Sequence, residues 1–160
     1  MLEYTKRFIE TCFDYENQEK LMLAFGGALY HDESVMGKIF VIFGGPGSGK
    51  SSIIWPFYDF ITKNYKHADR SILVFDDIDH IEDNRGLDKN EKQIIFICSN
   101  RINDGESSNV EIIRMSGKRI SLDDYKKFTW EMEYFGDEFF RKCMIEFALR
   151  KKYDDIWKGD

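Results

Sequence analysis

The chain is predicted to be an α/β protein, with a mostly parallel sheet of about four strands flanked by helices. Three observations carry that prediction. Short, largely apolar runs at 39–43, 71–75 and 93–99 read as strands, and 110–115 reads as a fourth. The first of them is apolar throughout rather than alternating, as a strand buried on both faces of a parallel sheet must be. Helix-compatible segments precede, separate and follow the runs, and the first run passes through a glycine-rich stretch directly into such a segment.

Residues 4–13 place Tyr4, Phe8, Ile9, Cys12 and Phe13 near one helical face. Asn17 is suited to cap a second helix carrying Leu21, Met22, Leu23, Phe25, Ala28 and Leu29. Gly26 and Gly27 interrupt that helix, which predicts close packing or an early end. After the first strand, a helix over 49–65 contains Pro56. A proline beyond the first turn removes a hydrogen bond and crowds the turn before it, so a kink or a break is expected there. Residues 80–92 are polar, hold Gly86, and read as a loop or short helix. Ser121 to Asp124 has the look of a helix N-terminus with acids in its first turn. Gly136 is expected to split the C-terminal region into two helices, the second carrying Phe139, Phe140, Cys143, Met144 and Phe147. The tail from Lys151 to Trp157 should end frayed.

At 160 residues the chain has room for one domain with one sizeable core. Aromatic residues make up 16% of it, enough to fill that core with rings and to argue against disorder. The net charge of −6 speaks against a broad basic face, while a local basic groove remains compatible with it. Cys12, Cys98 and Cys143 lie far apart in apolar settings and read as reduced core residues. No apolar run approaches a membrane span, and the start of the chain lacks a signal-peptide core. A cytoplasmic protein with no membrane partner is expected.

The glycine-rich stretch carries the chemistry. Gly44, Gly45, Pro46, Gly47, Ser48, Gly49, Lys50 and Ser51 fit G-x-x-x-x-G-K-[ST], a phosphate-binding loop, with Ser52 next on the helix. Four glycines let successive backbone N–H groups turn inward around an anion, and the helix points its positive end at the same place. Lys50 is expected to reach the β- and γ-phosphates and the Ser51 hydroxyl to ligate Mg²⁺. The alternative is a plain glycine turn between a strand and a helix. The second apolar run ends in Asp76 and Asp77. If it lies parallel to the first, Asp76 reaches the same sheet edge as Ser51 and holds Mg²⁺ through water, while Asp77 is placed to polarise an attacking water. Asp79 is a lesser candidate for either role. The third run ends in Ser99 and Asn100, and the Asn100 amide is a candidate sensor of the γ-phosphate. The plainer readings are an acidic turn and a strand-ending Asn.

Together these pieces resemble the superfamily-three helicase domain, a compact group within the AAA+ P-loop ATPases of viruses, phages and plasmids, in particular its poxvirus- and phage-type primase-helicases. Residues 25–30 resemble the short helical stretch before the ATPase strand of that family. Residues 38–51 resemble its motif A, 72–77 its motif B, and 94–100 its motif C with the sensor Asn; the similarity covers 17–115. The resemblance implies ATP and Mg²⁺ as cofactors, DNA as a partner, and a homo-oligomeric ring in a host cytoplasm. It also implies an arginine finger given by a neighbouring subunit, for which Arg114 and Arg119 are candidates and Arg101 a further option. On this reading residues 1–36 are N-terminal helices, 37–115 the nucleotide-binding core and 116–160 C-terminal helices. Two departures stand out. Only 25 residues separate Lys50 from Asp76, where a full AAA+ sheet places an extra strand and helix. The segment after Asp77, which builds a DNA-contacting hairpin in the family, is short, and its Arg85, Lys89 and Lys92 are interleaved with acids. Three functions stay open: an ATPase coupled to nucleic-acid remodelling, a nucleotide kinase, and a nucleotide-switched assembly or loader protein with little turnover.

Overall fold

The computed structural model describes residues 2–65, 71–76, 93–101, 109–153 and 157. Strands β1 (Ile39–Phe43), β2 (Ile72–Phe75), β3 (Ile94–Ser99) and β4 (Val110–Arg114) form one sheet in the order β2-β3-β1-β4, with every pairing parallel. Phe43 is level with Ser99 on one side and Arg114 on the other, and Phe75 is level with Ile97. The carboxyl ends of all four strands therefore open on one edge of the sheet.

Burial on both faces explains why the strands read as apolar runs. Phe40, Ile42, Phe96, Cys98 and Ile113 point into the main core with the helices. Ile39, Val41, Ile95 and Ile97 form a second buried cluster on the opposite face, extended by Leu73, Phe75, Val110 and Ile112. The main core is built on rings. Phe25, Phe57, Phe96 and Phe140 meet with centroids 4.2–5.7 Å apart.

Among the described residues four helices surround this core: α1 (Glu3–Cys12), α2 (Tyr15–Leu29), α3 (Lys50–Asn64) and α4 (Leu122–Tyr153). The cap of α2 is Asp14, not the expected Asn17. The Asp14 carboxylate accepts from the Asn17 backbone N–H at 3.0 Å and its side-chain amide at 2.8 Å, and these bonds hold the Asp14 carboxyl below its ordinary pKa. Asn17 has another task, since its Oδ1 accepts the Arg114 N–H at 2.8 Å and so ties α2 to edge strand β4.

Gly136 does not split the C-terminal region. α4 runs unbroken for 32 residues, because Gly136 keeps a negative φ and α1, α2 and α3 all pack against this one helix. Pro56 does not interrupt α3 either, which continues through it to Asn64. Of the two outcomes expected from Gly26 and Gly27, close packing is the one observed. A Cβ on Gly26 would stand 2.3 Å from the Cys143 carbonyl oxygen, so α2 and α4 touch backbone to backbone.

The N-terminus of α1 is held by α4. Leu2 provides no side-chain cap, and buried Glu131 accepts from the Tyr4 and Thr5 N–H groups at 2.9 and 2.8 Å and from the Thr5 hydroxyl at 3.1 Å. The three cysteines are free and buried, and burial pushes the Cys143 thiol far above its ordinary pKa. Among the described residues no helix is long and apolar enough to cross a membrane.

Candidate functional site

The loop after β1 is anchored on both sides. Gly44 N–H donates to the Ser99 carbonyl at 3.2 Å, and Met115 N–H donates to the Phe43 carbonyl at 2.8 Å. Within the loop, Ser48 N–H closes a turn on the Gly45 carbonyl at 3.2 Å. Gly49 has φ +101°, a left-handed conformation that glycine adopts without strain, and it starts α3. The Phe8 ring of α1 presses on it, 2.8 Å from where a Cβ would be. The first N–H groups of an α-helix lack acceptors a full turn back, and here Ser52 N–H donates to the Gly49 carbonyl at 3.1 Å.

Lys50 is the first residue of α3 and only 7% exposed. Its ammonium donates to the carbonyls of Gly44 (2.7 Å) and Gly45 (2.8 Å), to Ser48 Oγ (3.2 Å) and to Asn100 Oδ1 (2.8 Å). Asn100 follows β3, one strand away from the loop. The parallel register between β1 and β3 is what brings its amide to the lysine.

The next residue on α3 makes the second junction. Ser51 Oγ donates to Asp76 Oδ2 at 2.7 Å, and Trp55 Nε1 donates to the same oxygen at 3.0 Å. Ser51 and Trp55 are four residues apart on one helix face, so both meet the end of β2. A hydroxyl and a carboxylate are hard oxygen donors, the kind Mg²⁺ takes. Among the described residues no group of three or more His, Cys, Asp or Glu is placed to hold a metal ion, and Ser51 and Asp76 are the oxygen donors at this edge that could take Mg²⁺.

A cleft of about 380 Å³ contains Pro46, Gly47, Ser48, Gly49, Lys50, Ser51, Ser52, Asp76 and Asn100. Tyr125 of α4 also lines it, and its hydroxyl is hydrogen-bonded to Ser52 Oγ. Sequence reasoning missed Tyr125, because no motif connects a helix residue 73 positions away to the loop. It missed Trp55 as well, although helical spacing from Ser51 was enough to find that one.

The two arginines differ. Arg119 lies over its own loop, its Nη2 donating to the Pro46 carbonyl at 2.9 Å. Arg114 is exposed at the end of β4, with its guanidinium 5.7 Å from the Phe43 ring centre. Arg101 is exposed beside Asn100. Asp77, Asp79 and the segment holding Arg85, Lys89 and Lys92 lie outside the described residues.

No protein-family profile matches the chain, and no curated protein or solved structure matches it either.

Proposed function

We propose that the protein is a P-loop ATPase of the AAA+ type, hydrolysing ATP with Mg²⁺. The observation that carries this is the convergence of three strand ends. Lys50, Ser51, Asp76 and Asn100 come from segments far apart in the chain, yet Lys50–Asn100 is 2.8 Å and Ser51–Asp76 is 2.7 Å. A crevice outside the carboxyl ends of parallel strands is where open α/β sheets bind ligands. Lys50 and the α3 N-terminus neutralise phosphate charge, and Mg²⁺ held by Ser51 and Asp76 supplies further neutralisation as charge builds on the phosphoryl oxygens. Asn100, already bonded to Lys50, reports whether a γ-phosphate has taken the lysine. Asp77, next to Asp76, is proposed to orient the attacking water.

Coupling to nucleic-acid remodelling, as in viral or phage replication helicases, is the further proposal. It brings with it a ring of identical subunits and Arg114 as the finger offered to the neighbour. The deciding experiment tracks phosphate release with and without single-stranded DNA while light scattering reports mass. DNA-stimulated release by a ring-sized species is expected, and a monomer indifferent to DNA overturns the motor.

One observation favours a nucleotide kinase as second reading. Arg119 stands over its own phosphate loop, as an arginine on a lid would. Transfer of phosphate to a nucleoside monophosphate, instead of its release to water, separates the two.

A further inference from the structure

A second concavity adjoins the glycine-rich cleft. It is a groove of about 430 Å³ between α3 and α4, and Ser52 lines both. From Ser52 to Lys63 it runs along α3 for about 16 Å. We propose that this groove receives the base and ribose of the nucleotide whose phosphates occupy the loop, and that it prefers a base bearing an amino group. The inference rests on the phosphate-binding reading of Gly44 to Ser51.

Charge decides which end of a nucleotide goes where. Among the described residues, Asp59, Glu133 and Asp137 line the groove against one basic residue, Lys63. That balance repels phosphate, so the groove suits the uncharged end of the ligand. It also disfavours a nucleoside monophosphate as occupant, since the acceptor's own phosphate would face these carboxylates. Carboxylates accept hydrogen bonds and cannot donate them. Ribose hydroxyls and an exocyclic amine match them, whereas uracil turns carbonyl oxygens toward them. Trp55, 40% exposed, offers a ring face for a base, and the buried Phe60 and Phe140 form the apolar floor beneath it.

Two features of the sequence make sense in this setting. Pro56 has no N–H to give the Ser52 carbonyl, so that acceptor loses its helical partner at the point where cleft and groove meet. Gly136 lies in the middle of α4 with a negative φ, and a Cβ there would meet Met132 and Phe140 at ordinary distances of 3.7 and 3.9 Å. Packing does not demand a glycine there. What its missing side chain does is keep the groove open.

The test compares ATP, UTP and inorganic tripolyphosphate by titration calorimetry on the full chain, with Gly136→Leu filling the groove. The wild-type protein should bind ATP roughly tenfold or more tighter than tripolyphosphate, the scale of one base–aromatic contact, with UTP weaker than ATP. Gly136→Leu should erase the ATP advantage and leave tripolyphosphate binding within about twofold. Should Gly136→Leu not fold, Asp59→Asn combined with Glu133→Gln, both exposed, is expected to remove the preference for ATP over UTP. If tripolyphosphate binds and neither variant alters ATP relative to it, the groove proposal is overturned and the loop reading stands. If the wild-type protein binds neither ATP nor tripolyphosphate, both fall.

Discussion

The cleft at the strand ends and the groove between α3 and α4 share Ser52 and are built on opposite plans. The cleft is made of backbone and short polar side chains, with one buried cation drawing four oxygens together. The groove is made of ring faces and carboxylates on two helices whose lining residues lie more than 60 positions apart. An anion needs N–H groups and positive charge at fixed positions, so its site is written in consecutive residues. A flat, mostly apolar group needs surface and shape, and two packed helices supply these without any local pattern.

The sharpest way to break this contrast is at the cation. Lys50→Ala removes the charge that the cleft is organised around, and phosphate release from ATP should fall by about a hundredfold or more, measured under saturating Mg²⁺. ATP hydrolysis unchanged in this variant would mean that the cleft is not a triphosphate site.

A smaller effect is expected at the metal pair. Asp76→Ala should weaken Mg²⁺–ATP binding by about tenfold while leaving binding measured in excess chelator the same. Equal losses with and without Mg²⁺ would assign Asp76 to the nucleotide or to Trp55 and not to a metal. At the shared wall, Tyr125→Phe deletes the hydroxyl that bonds Ser52 and should lower folding stability by about 1 kcal/mol, read by denaturant titration. The smallest change is on the groove side. Gly136→Ala should raise stability by about 0.5–1 kcal/mol, because alanine favours helix and its Cβ meets only ordinary contacts. A destabilised Gly136→Ala would show that packing needs the glycine after all.

Several elements are legible in the sequence because their signals are local. The four strands lie within a residue of the runs that predict them, because Ile39–Phe43 and Ile94–Ser99 are buried almost throughout and the edge strands are apolar at most positions. Lys50, Ser51, Asp76 and Asn100 are legible as candidates because each sits at a strand end or on the first turn of a helix. Helix interruptions are less so. Pro56 and Gly136 carry penalties of about 3 and 1 kcal/mol in an isolated helix, and packing of α3 and α4 against the rest of the core outweighs them. Asn17 has the chemistry of a cap, but Asp14 stands at the position from which a side chain reaches the N3 amide.

By itself, then, the sequence determined an α/β chain with parallel-type strands, a glycine-rich loop opening a helix, and carboxylate and amide groups at strand ends. Spacing along one segment is enough for these, because strand pleat, helix pitch and loop geometry act over a few residues. Only the tertiary structure decided which strand ends lie side by side, that Asn100 meets Lys50, that Arg119 covers its own loop, and that Tyr125 and a groove stand beside it. Those depend on sheet order and on how a 32-residue helix crosses three others, and pairings over such distances are settled by the packing of the whole core.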